Sequence, residues 1–206
     1  MHCSTSCMIA LALSFTLNGA VITFDTDPFA GSTALTTPGR QIVGGEAFVT
    51  FDIANDVFAF EPSVFGVAGQ VLFANDLVGN LPTSNVNIIV LQTLDNDADS
   101  GTPFGAGSAA NLIASQITSP GPGFFIYFNS GLNLPRLVYS TDLDDSTADL
   151  KILARLTNLA NQSGALPTFT ESNFAMVPEP SGFVLMTAAG ALWACGYARR
   201  RYRARG

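Results

Sequence analysis

Residues 123–157 read GFFIYFNSGLNLPRLVYSTDLDDSTADLKILARLT, and the way their apolar side chains recur decides the fold. At the C-terminal end Leu150, Ile152, Ala154 and Leu156 alternate with Lys151, Arg155 and Thr157, the period of two of a half-buried strand. The runs at 123–128 (GFFIYF) and 136–139 (RLVY) are apolar on both faces and bounded by Gly, Pro, Asn or Asp, which suits central strands. Outward from this stretch the pattern persists. VNIIVLQTL at 86–94 is a third central candidate. At 46–53 Ala47, Val49, Phe51 and Ile53 oppose Glu46, Thr50 and Asp52. Further strands are expected at 21–24, 40–43, 57–60, 71–74 and 168–174. Nine or ten short strands at this spacing predict a mainly β domain of the β-sandwich or jelly-roll kind.

One segment departs from that period. With Ser108 as N-cap, Ala109, Leu112, Ile113 and Ile117 fall at helical spacing before the breaker run SPGPG at 119–123. A short helix covering an edge or end of the sandwich is expected; the alternative is the crossover of a small α+β unit. No repeat of 20 to 50 residues is visible, which argues against a solenoid.

The chain has 206 residues, 48% apolar and only 12% charged, with one His and three Cys. His2, Cys3, Cys7 and Cys195 all lie near the ends, so the interior has neither imidazole nor thiol. That removes Ser-His-Asp and Cys-His catalysis, His- or Cys-ligated metals and disulfides from the body. Charge is divided as unevenly. Residues 21–177 hold four basic against fifteen acidic side chains, a net of −11, which disfavours nucleic acid as a partner.

Both ends read as addresses. MIALALSFTL at 8–17 is ten residues long, the length of a signal-peptide core and too short to span a bilayer, so residues 1–20 are expected to be a signal peptide cleaved after Ala20. At the other end Val177-Pro178-Glu179-Pro180-Ser181 precedes seventeen uncharged residues, 182–198, and then Arg199, Arg200 and Arg201. At about 1.5 Å per residue that run is roughly 25 Å long as a helix, close to a hydrocarbon core once arginines snorkel. The arginines orient it with the tail in the cytoplasm and the body outside.

Pro-Glu-Pro, a short transmembrane helix and a terminal arginine cluster, in that order, resemble the PEP-CTERM sorting signal, a tail also labelled an ice-binding-protein C-terminal domain. The resemblance covers residues 177–206, on Pro178, Glu179, Pro180, Ser181 and Arg199, Arg200, Arg201. It implies an exosortase-type processing enzyme as partner, anchorage in the inner membrane before processing, then release or transfer to the cell surface or extracellular matrix, with exopolysaccharide as a further partner. The division expected is 1–20 signal peptide, 21–176 β domain and 177–206 sorting tail. The function expected is that of an exported, non-catalytic surface or matrix protein.

Two other readings follow from the body's polar residues. Asp95, Asp97 and Asp99, in a turn after an expected strand, could converge on calcium, although Gly101 stands at position 7 and Ala106 at position 12 of an EF-hand count. Asp142, Asp144 and Asp145 could complete the set if both loops share one end of the fold. Such a site would make the chain a calcium-dependent or carbohydrate-binding adhesion module; apart from calcium no cofactor is expected. The other reading is a His-free glycan hydrolase using two carboxyl groups, with Glu46, Asp52, Glu61 and Glu171 as the acids outside the obvious turns. Against sugar stacking, the only Trp is Trp193, in the expected membrane helix, and Phe65, Phe73, Phe104 and Phe169 are expected in the core.

Overall fold

The computed structural model describes residues 19–99 and 101–177. Most of the expected signal peptide lies outside them. So does the expected sorting tail from Pro178 on, with Glu179, Pro180, the helix expected over 182–198 and Arg199, Arg200 and Arg201.

The described residues are mainly β, in two sheets with few helices. The strands are β1 (Val21–Phe24), β2 (Ile42–Val43), β3 (Ala47–Val49), β4 (Val57–Phe60), β5 (Phe73–Asp76), β6 (Ile88–Leu91), β7 (Gly123–Asn129), β8 (Leu134–Ser140), β9 (Leu150–Leu156) and β10 (Phe174–Met176). Helix α1 spans Pro62–Phe65 and α2 spans Ala106–Ala114. The smaller sheet has the order β1-β4-β10. The larger runs β2-β9-β8-β7-β6-β5, with β3 also paired to β9.

Pairing direction differs from that of a jelly roll. Only β7-β8 and β8-β9 are antiparallel, whereas the other six pairings are parallel. Parallel neighbours need long connections, and α2 supplies one of them. It lies between β6 and β7, which pair in parallel, so it is a crossover helix, the alternative reading of its sequence. It also starts earlier than expected. Its N-cap is Gly105 with no side-chain hydrogen bond, and Ser108 lies inside the helix.

Register explains why the central strands are apolar on both faces. Ile88, Phe124 and Tyr139 lie in line across β6, β7 and β8, as do Val90, Ile126 and Leu137. These face a core shared with Phe58, Phe60 and Phe174 of the smaller sheet. The intervening Ile89, Leu91, Phe125, Tyr127 and Val138 face a second core with Ala106, Ala109, Ala110 and Ile113 of α2. Phe60 on Phe124, at 3.8 Å between centroids, joins the two sheets, and Phe51, just past β3, stacks on Phe58 at 4.1 Å.

Strand β9 departs from simple alternation. Leu137 pairs with Ala154 and Val138 with Ile152, so Leu153 is an extra residue in the ladder. The bulge sends Leu150 and Ile152 to the helix-side core but Leu153, Ala154 and Leu156 to the inter-sheet core. The strand is therefore buried on both faces, and Lys151 and Arg155 emerge on opposite ones. At the C-terminal edge the strand expected over 168–174 begins only at Phe174. Residues Ser163–Thr168 and Glu171–Asn173 form 3₁₀ turns instead, the second closed by a Thr170–Asn173 capping box.

Carboxylates fasten the loops to this frame. Asp149 is buried and accepts the Leu35 N–H at 2.7 Å and the Gln41 N–H at 2.6 Å, tying the loop before β2 to the start of β9. Asp149→Ala leaves both donors without that acceptor. It should lower unfolding stability by about 2 kcal/mol, read as a lower urea midpoint, with Asp149→Asn intermediate because one acceptor remains.

Candidate functional site

The two acidic loops do not meet. The first follows the end of β6 at Leu91, and the second follows the end of β8 at Ser140. Because β6 is parallel to β7 and β8 antiparallel to it, those strand ends point in opposite directions, with Ser140 beside Gly123 at the start of β7. The shared calcium set of Asp95, Asp97, Asp99, Asp142, Asp144 and Asp145 is thus divided between opposite ends of the larger sheet.

Within each loop the carboxylates serve the local backbone. Asp95 accepts from the Asn96 and Asp97 amides, Asp97 from Asp99, and Asp99 from Gly101 and the Thr102 hydroxyl. Asp142 accepts the Gly121 N–H at 2.9 Å and the Asp144 N–H at 3.2 Å, while Asp145 takes the amide and hydroxyl of Thr147. The Asp97 amide, the first of the groups favouring ionisation, holds Asp95 below its usual range, as the Thr147 amide does Asp145. Asp144 is pushed up, first by desolvation and then by Asp142 and Asp145. Among the described residues no group of three or more His, Cys, Asp or Glu side chains is placed to hold a metal ion. Because these carboxylates already accept backbone amides and the two loops lie apart, millimolar calcium is expected to change the melting midpoint little; a rise of several degrees would put an ion on one of these loops.

The remaining acids have separate surroundings. Glu61 is buried at the end of β4 and caps α1, accepting from the Ser63 hydroxyl at 3.0 Å. Asp52 lies in an exposed turn, held below its usual range by the Asn55 side chain, and Glu171 is exposed in a 3₁₀ turn. Asp56 is buried, accepting the Ala20 N–H at 2.7 Å and the Asp52 N–H at 2.8 Å.

Glu46 stands in the most concentrated polar cluster. Its side chain is only 7% exposed and Oε1 takes both Arg136 Nη2 and Arg155 Nε, the latter at 2.6 Å. Burial works to raise the Glu46 pKa. The residue's own backbone amide, then Arg155 and Arg136, outweigh it and hold the carboxyl at about 2. The arginines are cross-strand partners on β8 and β9, and Tyr127 pairs with Arg136 from β7. The Tyr127 hydroxyl accepts from Asn129 Nδ2 at 2.9 Å, and burial raises its pKa. Phe48, paired with Arg155 across β3-β9, lies under its guanidinium at 5.2 Å and is 71% exposed.

Glu46 was expected on the outward face, where no sequence feature announces a partner: Arg136 lies 90 residues away and meets it only through the β3-β9-β8 order. Phe48 had a legible signal. It shares the outward parity of Glu46 and Thr50, whereas Phe65, Phe104 and Phe169 are buried as expected and Phe73 packs on the core edge.

A separate cleft of about 230 Å³ opens between the sheets, lined by Phe24, Thr26, Asp27, Pro28, Gly45, Ala47, Phe65, Lys151 and Leu153. Beneath it the buried Tyr139 donates its hydroxyl to the Phe65 carbonyl at 2.7 Å, and burial pushes its pKa up to about 12.

Fold and polar clusters together define the class: a mainly β domain of two sheets, with one helical crossover and most buried carboxylates bonded to backbone amides. Comparison with protein-family models, curated proteins and solved structures finds no match for this chain.

Proposed function

We propose that this chain is an exported, non-catalytic module that reaches the cell surface or extracellular matrix through its PEP-CTERM-like tail, processed by an exosortase-type enzyme at the inner membrane. The packing of its two sheets through Phe58, Phe60 and Phe124 supports reading the body as a sandwich-type domain.

The observation that supports the reading is that the described ladder reaches the residue directly before Pro-Glu-Pro. The Val177 N–H still donates to the Phe60 carbonyl at 2.8 Å, continuing the β10-β4 pairing by one rung. Pro-Glu-Pro follows without a spacer, and two residues in three there lack an N–H, which makes the stretch a poor continuation of any strand. A cut at or beyond that motif would leave every rung of the body in place. At the other end, Ala20 accepts the Val57 N–H at 2.9 Å and donates to Asp56 at 2.7 Å, so a cut after Ala20 would remove a rung that the described body uses.

Intact-mass measurement of the native surface form tests the proposal. The expected product has lost Arg199–Gly206, together with the apolar run, and ends near Pro178–Pro180. A surface form that retains the arginine cluster would overturn it.

A further inference from the structure

We infer that the cleft between the sheets is a binding site for a small ring-shaped carboxylic acid that also carries a hydroxyl group. The inference does not depend on how the chain is delivered.

The cleft exists because the sheets are unequal. Three strands face six aligned ones, so β1 is the last strand of the smaller sheet on the side of β9, β2 and β3. Beyond β1 the loop from Thr26 to Pro28 forms the rim, and opposite it Gly45 and Ala47 are too small to fill the space. Its apolar walls are Phe24, Pro28, Phe65 and Leu153. A cavity of roughly 150 Å³ accepts benzene, so one of about 230 Å³ has room for a substituted six-membered ring.

Two opposite charges line this space without neutralising each other. Lys151 donates to the Gly44 carbonyl at 2.6 Å, which steadies the ammonium and uses one of its three donors. Among the described residues the ion pairs are those of Glu46 with Arg136 and Arg155, so no carboxylate there lies within 4 Å of Lys151. Asp27, an exposed residue of the rim, accepts the Phe29 N–H on Oδ1 at 2.9 Å, which leaves Oδ2 open to solvent or to a ligand. Thr26 adds a hydroxyl.

These groups select the ligand's chemistry. A carboxylate answers the two remaining Lys151 donors, a ligand hydroxyl answers Asp27 Oδ2, and the ring lies against Phe24 and Pro28. The body's negative field opposes polyanions, which restricts the ligand to a single charge close to Lys151. Sugar acids and hydroxylated aromatic acids share this chemistry.

Titration of the full chain with glucuronate and with 3-hydroxybenzoate, followed by amide chemical shifts, tests the site, with glucose and phenol as neutral counterparts. At least one acid should give saturable shifts at Thr26, Asp27, Gly45 and Ala47, and which acid does so identifies the source. Its neutral counterpart should bind at least about tenfold more weakly, the effect of losing one charge-assisted hydrogen bond. Lys151→Gln should weaken binding by a similar factor and Lys151→Arg should largely restore it, a pair that separates a ligand contact from a loss of fold. The inference is overturned if neither acid gives saturable shifts at concentrations on the order of 10 mM, if glucose and phenol bind equally well, or if Lys151→Gln binds like the parent.

Discussion

Phe60→Ala is expected to lower unfolding stability by about 4 kcal/mol, a large part of the total for a domain of this size. Phe60 is fully buried at the end of β4 and meets aromatic rings on several sides. It stacks on Phe124 of the larger sheet at 3.8 Å, on Phe24 at 5.7 Å, and meets the edge of Phe65 at 6.2 Å. Truncation removes the ring's transfer free energy and leaves a cavity that two sheets held by backbone ladders close only in part. The melting midpoint should fall by roughly 10 °C, and the urea midpoint should drop with little change in slope. Phe48→Ala is the internal comparison. That ring is 71% exposed, and its loss should cost less than about 1 kcal/mol, including its contact with Arg155. Equal effects of the two substitutions would mean that the sheets are not joined through Phe60.

Glu46→Ala is expected to cost about 3 kcal/mol. Removing one partner of a buried ion pair typically costs 3–5 kcal/mol. The lower end applies because the Arg155 side chain is 28% exposed, although Arg136 is only 14% exposed and its Nε is already buried without a partner. The same contact sets an acid limit. With the carboxyl held at about 2 against an ordinary 4.5, the native state keeps Glu46 ionised where the unfolded chain is already protonated. The stabilisation is complete above pH 4.5 and is lost as pH falls towards 2. Solvent reaching Arg155, whose side chain is 28% exposed, screens the pair, so the acid loss over that window should amount to about 1–2 kcal/mol. Urea melts between pH 7 and pH 2 should therefore show an acid loss that Glu46→Ala largely abolishes. An unchanged acid slope in the variant would remove Glu46 from the account.

Strand positions were legible because burial and pleat act locally. β1, β4 and β9 lie where their apolar residues indicated, at Val21–Phe24, Val57–Phe60 and Leu150–Leu156. What those residues pair with was not legible. A six-residue run such as GFFIYF has the same composition whether its neighbour is parallel or antiparallel; the choice rests on connections such as 92–122, whose helical spacing at 109–117 shows a helix but not which strands it brings side by side. For the same reason the acidic turns could be recognised as turns while their separation could not. Asp95 and Asp142 came to opposite ends of one sheet only because β8 runs against β6.

Residue chemistry alone sets the absence of His and Cys between residues 8 and 194, the net charge of −11 over 21–177, the apolar strands, and the Pro-Glu-Pro run directly after Val177. These are properties of side chains and of their nearest neighbours in the chain. Tertiary structure decided the rest: the bulge at Leu153 that puts Lys151 and Arg155 on opposite faces, the two arginines on Glu46, and the cleft left where three strands face a wider sheet. Each of these joins residues separated by tens of positions, and their meeting depends on strand order and register, which hydrogen bonding and packing between whole elements select together.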